Sequence, residues 1–148
     1  MKTAAFTALF ISLSFCATSV QARDTVHHLP VNEAIKSGKA QGALNDDIKF
    51  FFGDQPHPAI ETMLNKGATT SKKTQTAGRG GDEEACNWVM QSALIQLQQT
   101  ARSMGGNAVV NIESFYKRNV FRSNDQFECH AGNVVSGVAL RGDIVKLK

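Results

Sequence analysis

The stretch DEEACNWVMQSALIQLQQTARSMGGNAVVNI, Asp82 to Ile112, decides the fold. Ala85, Trp88, Val89, Ala93, Leu94, Leu97, Ala101 and Met104 recur at helical spacing, so the spacing predicts an amphipathic helix over Asp82 to Met104. Asp82, Glu83 and Glu84 open it and Arg102 closes it, each sign suited to its end of the helix dipole. Gly105-Gly106 ends it, because glycine accepts the left-handed conformation of a helix cap. Asn107 to Lys117 then reads as a strand, with Val109, Val110, Ile112, Phe115 and Tyr116.

Working outward, Phe127 to Val135 reads as a second strand. Phe127, Cys129 and Ala131 fall on one face of it, Glu128 and His130 on the other. Ser136 to Leu147 follows as a last strand, bent at Gly142. Upstream, Pro30 with Val31, Ala34 and Ile35 predicts a short helix stopped by Gly38. Ile48 to Phe52 predicts a strand, which its three phenylalanines make central and buried on both faces. Ala59 to Asn65 suggests two helical turns. Ala68 to Thr76, rich in threonine and carrying Lys72-Lys73, suits an exposed edge strand. The expectation is an α+β domain: one long amphipathic helix packed on a small, mainly antiparallel sheet.

The chain has 148 residues. Lys2, the apolar run Ala4 to Val20 and the small-x-small Val20-Gln21-Ala22 make residues 1–22 an export signal. A buried N-terminal helix is the alternative; a lipobox at Cys16 is another, set against the bulky Phe15 before it. Residues 23–148 are then a single domain, since about 126 residues build one core and not two. Beyond the signal no apolar run is long enough for a membrane span. The expected location is the periplasm or outside the cell. Removing Lys2 leaves a nearly balanced charge, too weakly basic for a nucleic-acid partner.

Cleavage leaves Cys86 and Cys129. In an oxidising compartment a lone pair of this kind reads as a disulfide, worth about 4 kcal/mol in the chain-entropy model. Two buried free thiols, or a share in a metal site, are the alternatives.

Catalytic motifs are missing, and no enzyme is expected. Arg79-Gly80-Gly81-Asp82-Glu83-Glu84 looks like the Gly-Gly-Asp-Glu-Phe signature of diguanylate cyclases, with Glu84 in place of the Phe. In this chain it runs straight into a helix instead of capping a hairpin. Ser37-Gly38-Lys39-Ala40 lacks the leading Gly and the hydroxyl of a phosphate-binding loop, and there is no Gly-x-Ser-x-Gly elbow. Asp46, Asp47 and Asp54 suit turns. Four histidines, His27, His28, His57 and His130, are candidate metal ligands, but no two show a recognised ligand spacing. No cofactor is implied.

Cys86-Asn87-Trp88, Gly105-Gly106-Asn107-Ala108-Val109-Val110-Asn111-Ile112, Phe127-Glu128-Cys129-His130-Ala131-Gly132, Gly137-Val138-Ala139-Leu140 and Phe51-Phe52-Gly53-Asp54 together resemble a group of small secreted proteobacterial proteins. These often carry the designation "excinuclease ATPase subunit", which the absence of a P-loop contradicts. More distantly, the Gly-Gly-Asn-Ala-Val-Val passage is similar to the YbjQ-like and RcsF-like domains. That resemblance implies a helix on a small sheet, tied to a strand by a disulfide, a role that Cys86 and Cys129 would fill. The function expected is a non-enzymatic binding or envelope-associated module, whose partner is an envelope protein or a small ligand. Its candidate surface is Thr69 to Thr76 with Lys117, Arg118 and Arg122. The alternative is a periplasmic metal-binding protein using His130 with His27, His28 or His57.

Overall fold

A computed structural model describes residues 22–148. The expected export signal, residues 1–22, lies outside the described residues apart from Ala22. The elements run β1 (Thr25–Pro30), α1 (Val31–Ala40), β2 (Lys49–Phe52), β3 (Ile60–Gln75), α2 (Asp82–Ser103), β4 (Ala108–Ser114), a short 3-10 turn (Tyr116–Arg118), β5 (Gln126–Ala131) and β6 (Val135–Leu147). The fold is α+β: a mostly antiparallel six-stranded sheet with α2 laid across it. No helix among the described residues is long and apolar enough to cross a membrane.

β6 organises the sheet. Strand β3 pairs along one edge of it, from Ile60↔Leu147 to Gln75↔Val135. The other edge is shared: β5 takes Ser136 and Gly137, and β4 takes Leu140 to Val145. β1 extends β5, and β2 pairs with β4 in parallel.

The helix from Asp82 forms as the apolar spacing requires. It stops because Gly105, at φ +74°, lets its N–H reach Arg102 O while Gly106 N–H reaches Ala101 O at 2.8 Å. Gly106 is needed for a second reason: a Cβ there would stand 3.0 Å from Val145 O, under the passing β6. Asn107 then ties the turn to the end of β6, its Nδ2 donating to Leu147 O and its Oδ1 accepting from Leu147 N–H.

The core lies between α2 and the sheet. Met90, Leu94 and Leu97 meet Ile112, Phe127, Leu140 and Ile144, all essentially excluded from solvent. Cys86 and Cys129 are bonded, with Cα atoms 5.8 Å apart, so the disulfide joins the start of α2 to β5. Free thiols or a cysteine metal site are thereby excluded.

Several sequence expectations change. Ala59 to Asn65 is not helical; from Ile60 on it is the first part of β3, because its backbone pairs with the end of β6. The Phe50 strand is an edge strand, and only Phe52 of its phenylalanines is fully buried. α1 runs through Gly38, which stays because Leu44 packs where a Cβ would stand. The strand after Asn107 ends at Ser114, since Lys117 and Arg118 take positive φ. Trp88 is 44% exposed and Met104 38%, so neither belongs to the core stripe.

Candidate binding surface

Strand alternation gives the sheet two unlike faces. Phe127, Cys129 and Ala131 point at α2, whereas Glu128 and His130 point away. On β3, Lys72 turns towards α2 and donates to Gln96 Oε1, while Lys73 lies on the opposite face with Thr69 and Ser71.

The histidines separate along the same division. His27 lies on the helix side, 3.1 Å from the Asp82 carboxylate. His28 and His130 share one carboxylate on the far face: Glu128 is 3.5 Å from His28 Nε2 and 3.1 Å from His130 Nε2. His130 Nδ1 lies 2.8 Å from Asp24. Its ring stacks on Tyr116 at 3.7 Å, and that of His28 on Phe121 at 4.2 Å. His130 is therefore only 13% exposed, not the open surface residue its outward position suggests. The hydrogen bond from His130 draws the Asp24 carboxyl below its ordinary range, against the loss of hydration. His57 is remote from this group, set edge-on to Phe51. No group of three or more His, Cys, Asp or Glu among the described residues is arranged to hold a metal ion. The structure does not bring His130 together with His27 or His57: the sheet lies between His130 and His27, and His57 sits beside β2.

A second group lies across β4 and β6. Glu113, 9% exposed, accepts from Arg141 Nε at 2.8 Å and lies 3.2 Å from Arg122 Nη1. Arg122 also holds Asp54 and donates to Gly53 O, and it draws the Asp54 carboxyl below its ordinary range. Asn111, at φ +54° beside the register shift of β4, donates to Asp143 Oδ2. Arg122 is thus consumed in bracing the loop and does not join Thr69 to Thr76 as a binding residue.

Between these groups runs a groove of about 570 Å³, lined by Thr69, Ser71 and Lys73 of β3, Ala139 of β6, and Phe115 to Arg118. Lys117 is held near Asp24 at 3.4 Å. Lys73 and Arg118 are exposed and have no ion-pair partner among the described residues. Positive φ at Lys117 and Arg118, uncommon outside glycine, bends the chain there, and Lys117 Nζ lies 5.3 Å from the Tyr116 ring centroid. The sequence pattern brought Thr69 to Thr76 together with Lys117 and Arg118; it missed Phe115, Tyr116 and the inward turn of Lys72. The lysine pair gave a signal for that last point, because neighbours on a strand face opposite ways.

The chain matches no protein-family model, no curated protein and no solved structure. The disulfide accords with an oxidising compartment.

Proposed function

We propose that the protein is an exported, non-enzymatic binding module of the cell envelope, periplasmic or secreted, and that the helix-free face of its sheet receives an acidic partner. The observation that carries this reading is the pair Lys73 and Arg118, two cations without ion-pair partners among the described residues on one groove, next to Tyr116. Elsewhere on this face the arginines are committed: Arg122 and Arg141 both neutralise Glu113. Unpaired surface cations add little to stability, and they attract an oppositely charged surface. The export signal at residues 1–22 and the family resemblance support the envelope location.

The test is sedimentation of purified protein with isolated envelopes at low and high salt. Binding is expected to weaken with salt and to fall several-fold in a Lys73→Glu, Arg118→Glu variant. Equal sedimentation of the variant and the parent protein would refute the surface. The same experiment with Lys72→Glu is the control, because Lys72 faces α2.

A further inference from the structure

The cleft between α1 and the first half of α2 has no part in that surface. It measures about 550 Å³ and is lined by Glu33, Ser37 and Gln41 from α1, by Glu84, Asn87, Trp88 and Gln91 from α2, and by the Gly78–Gly80 loop with Arg79. Its polar groups are unusual in what they lack. Gln91 is 7% exposed, lines the cleft, and makes no side-chain hydrogen bond among the described residues. Asn87 Oδ1 is the one buried side-chain polar atom among the described residues that has no partner. A buried amide oxygen such as that of Asn87 is normally paired, because an unmade hydrogen bond forfeits hydration with no return. Two carboxamides one helical turn apart line this cleft: Asn87 carries the orphaned oxygen, and the Gln91 amide, without a side-chain partner among the described residues, keeps its polar atoms open to the cleft, where a ligand can reach them. Beside them stands Trp88, left 44% exposed, with the Arg79 guanidinium 4.1 Å from its ring centroid.

We propose that this cleft binds a neutral saccharide. Hydroxyl groups both donate and accept, which matches the carboxamide of Gln91, a group that does the same and has no side-chain partner among the described residues. The part of the Trp88 indole that Arg79 leaves uncovered offers an apolar, electron-rich surface to the C–H groups of a sugar ring. Glu33 and Glu84 supply further acceptors at the mouth and repel phosphate or carboxylate ligands. Arg79 supplies donors at the rim from a loop in which Gly78 and Gly80 both have φ +80°. The sparse apolar lining beyond the indole argues against a lipid. The sugar is either a free oligosaccharide or a unit of a cell-wall polymer, and the chemistry of recognition is common to both.

Trp88 is the only tryptophan of the chain, so intrinsic emission reports this cleft directly. Chitotriose and maltotriose, titrated to millimolar concentration, probe the free sugar; co-sedimentation with purified peptidoglycan sacculi probes the polymer; triglycine probes a peptide. A saturable emission change with either trisaccharide, or sedimentation with sacculi that Trp88→Ala abolishes, is the expected result. Gln91→Leu should weaken binding roughly three- to tenfold, the worth of about one hydrogen bond. Should Gln91→Leu melt early, the exposed Glu33→Ala serves as a second variant and is expected to weaken binding several-fold. The proposal is overturned by silence with both trisaccharides and sacculi, by a response to triglycine alone, or by binding that none of these variants weakens.

Discussion

The two faces of the sheet are made from the same six strands and held by different physics. On the α2 side, Leu94, Leu97, Ile112, Phe127 and Leu140 are sealed from water and the Cys86–Cys129 bond pins helix to strand. On the other side, a small buried cluster of Ala108, Val110, Val145 and Leu147 adjoins Glu113, Glu128 and Asp143, which are embedded among Arg141, Arg122, His28, His130 and Asn111. Burial is non-directional and scales with area, so the helix side carries most of the stability. Charged networks yield little net stability, but their geometry is directional, so the open side is suited to hold groups in defined positions. The scaffold and the proposed recognition surface are therefore back to back.

That contrast breaks most visibly on the helix side. Leu94→Ala, at a fully buried position, should destabilise by about 2–5 kcal/mol, read from chemical denaturation. Cys86→Ala should cost a comparable amount, about 2–5 kcal/mol, the usual loss for a native bridge in a small secreted domain. An unchanged midpoint for both would mean that the polar face carries the fold. Removing Glu113 is intermediate. Glu113→Gln leaves Arg141 without its carboxylate and Arg122 with Asp54 alone, but both arginines are about one-third exposed. Screening at those ends reduces the expected cost to about 1–2 kcal/mol.

Acid should also sort the faces. Asp24 has its folded value lowered by His130, so its contribution is present above the ordinary carboxylate range and is lost as pH falls through the folded value. Stability should decline in acid, and Asp24→Asn should flatten that decline slightly in a series of melting temperatures. A slope identical in both proteins would show that this pair contributes nothing. The smallest effect is expected at the groove: Lys73→Glu should alter stability by no more than about 0.5 kcal/mol while weakening envelope binding. A large loss of stability there would make Lys73 structural.

Much of the scaffold was legible because it rests on periodicity. The α2 stripe, the glycine stop and the alternation of Phe127, Cys129 and Ala131 are local patterns, and they appear in the structure as read. Ala59 to Asn65 was misread because its sequence lacks alternation; only pairing with the far end of β6 makes it a strand. The phenylalanine strand was placed at the centre because apolar content does not reveal which edge lies open. At the candidate surface, residue types were visible and their directions were not. Arg122 looked free until Asp54 and Glu113 were brought to it.

By itself the sequence determined the helix, its stop, the facing of β5 and the cysteine pair, because each depends on neighbours within a few residues or on the small number of cysteines. Tertiary structure alone decided that Trp88 leaves the core to line a cleft, that Asn87 Oδ1 is buried without a hydrogen-bond partner among the described residues, and that Lys73 and Arg118 line one groove. These depend on which distant segments pack together, and side-chain partners across such contacts leave no periodic trace along the chain.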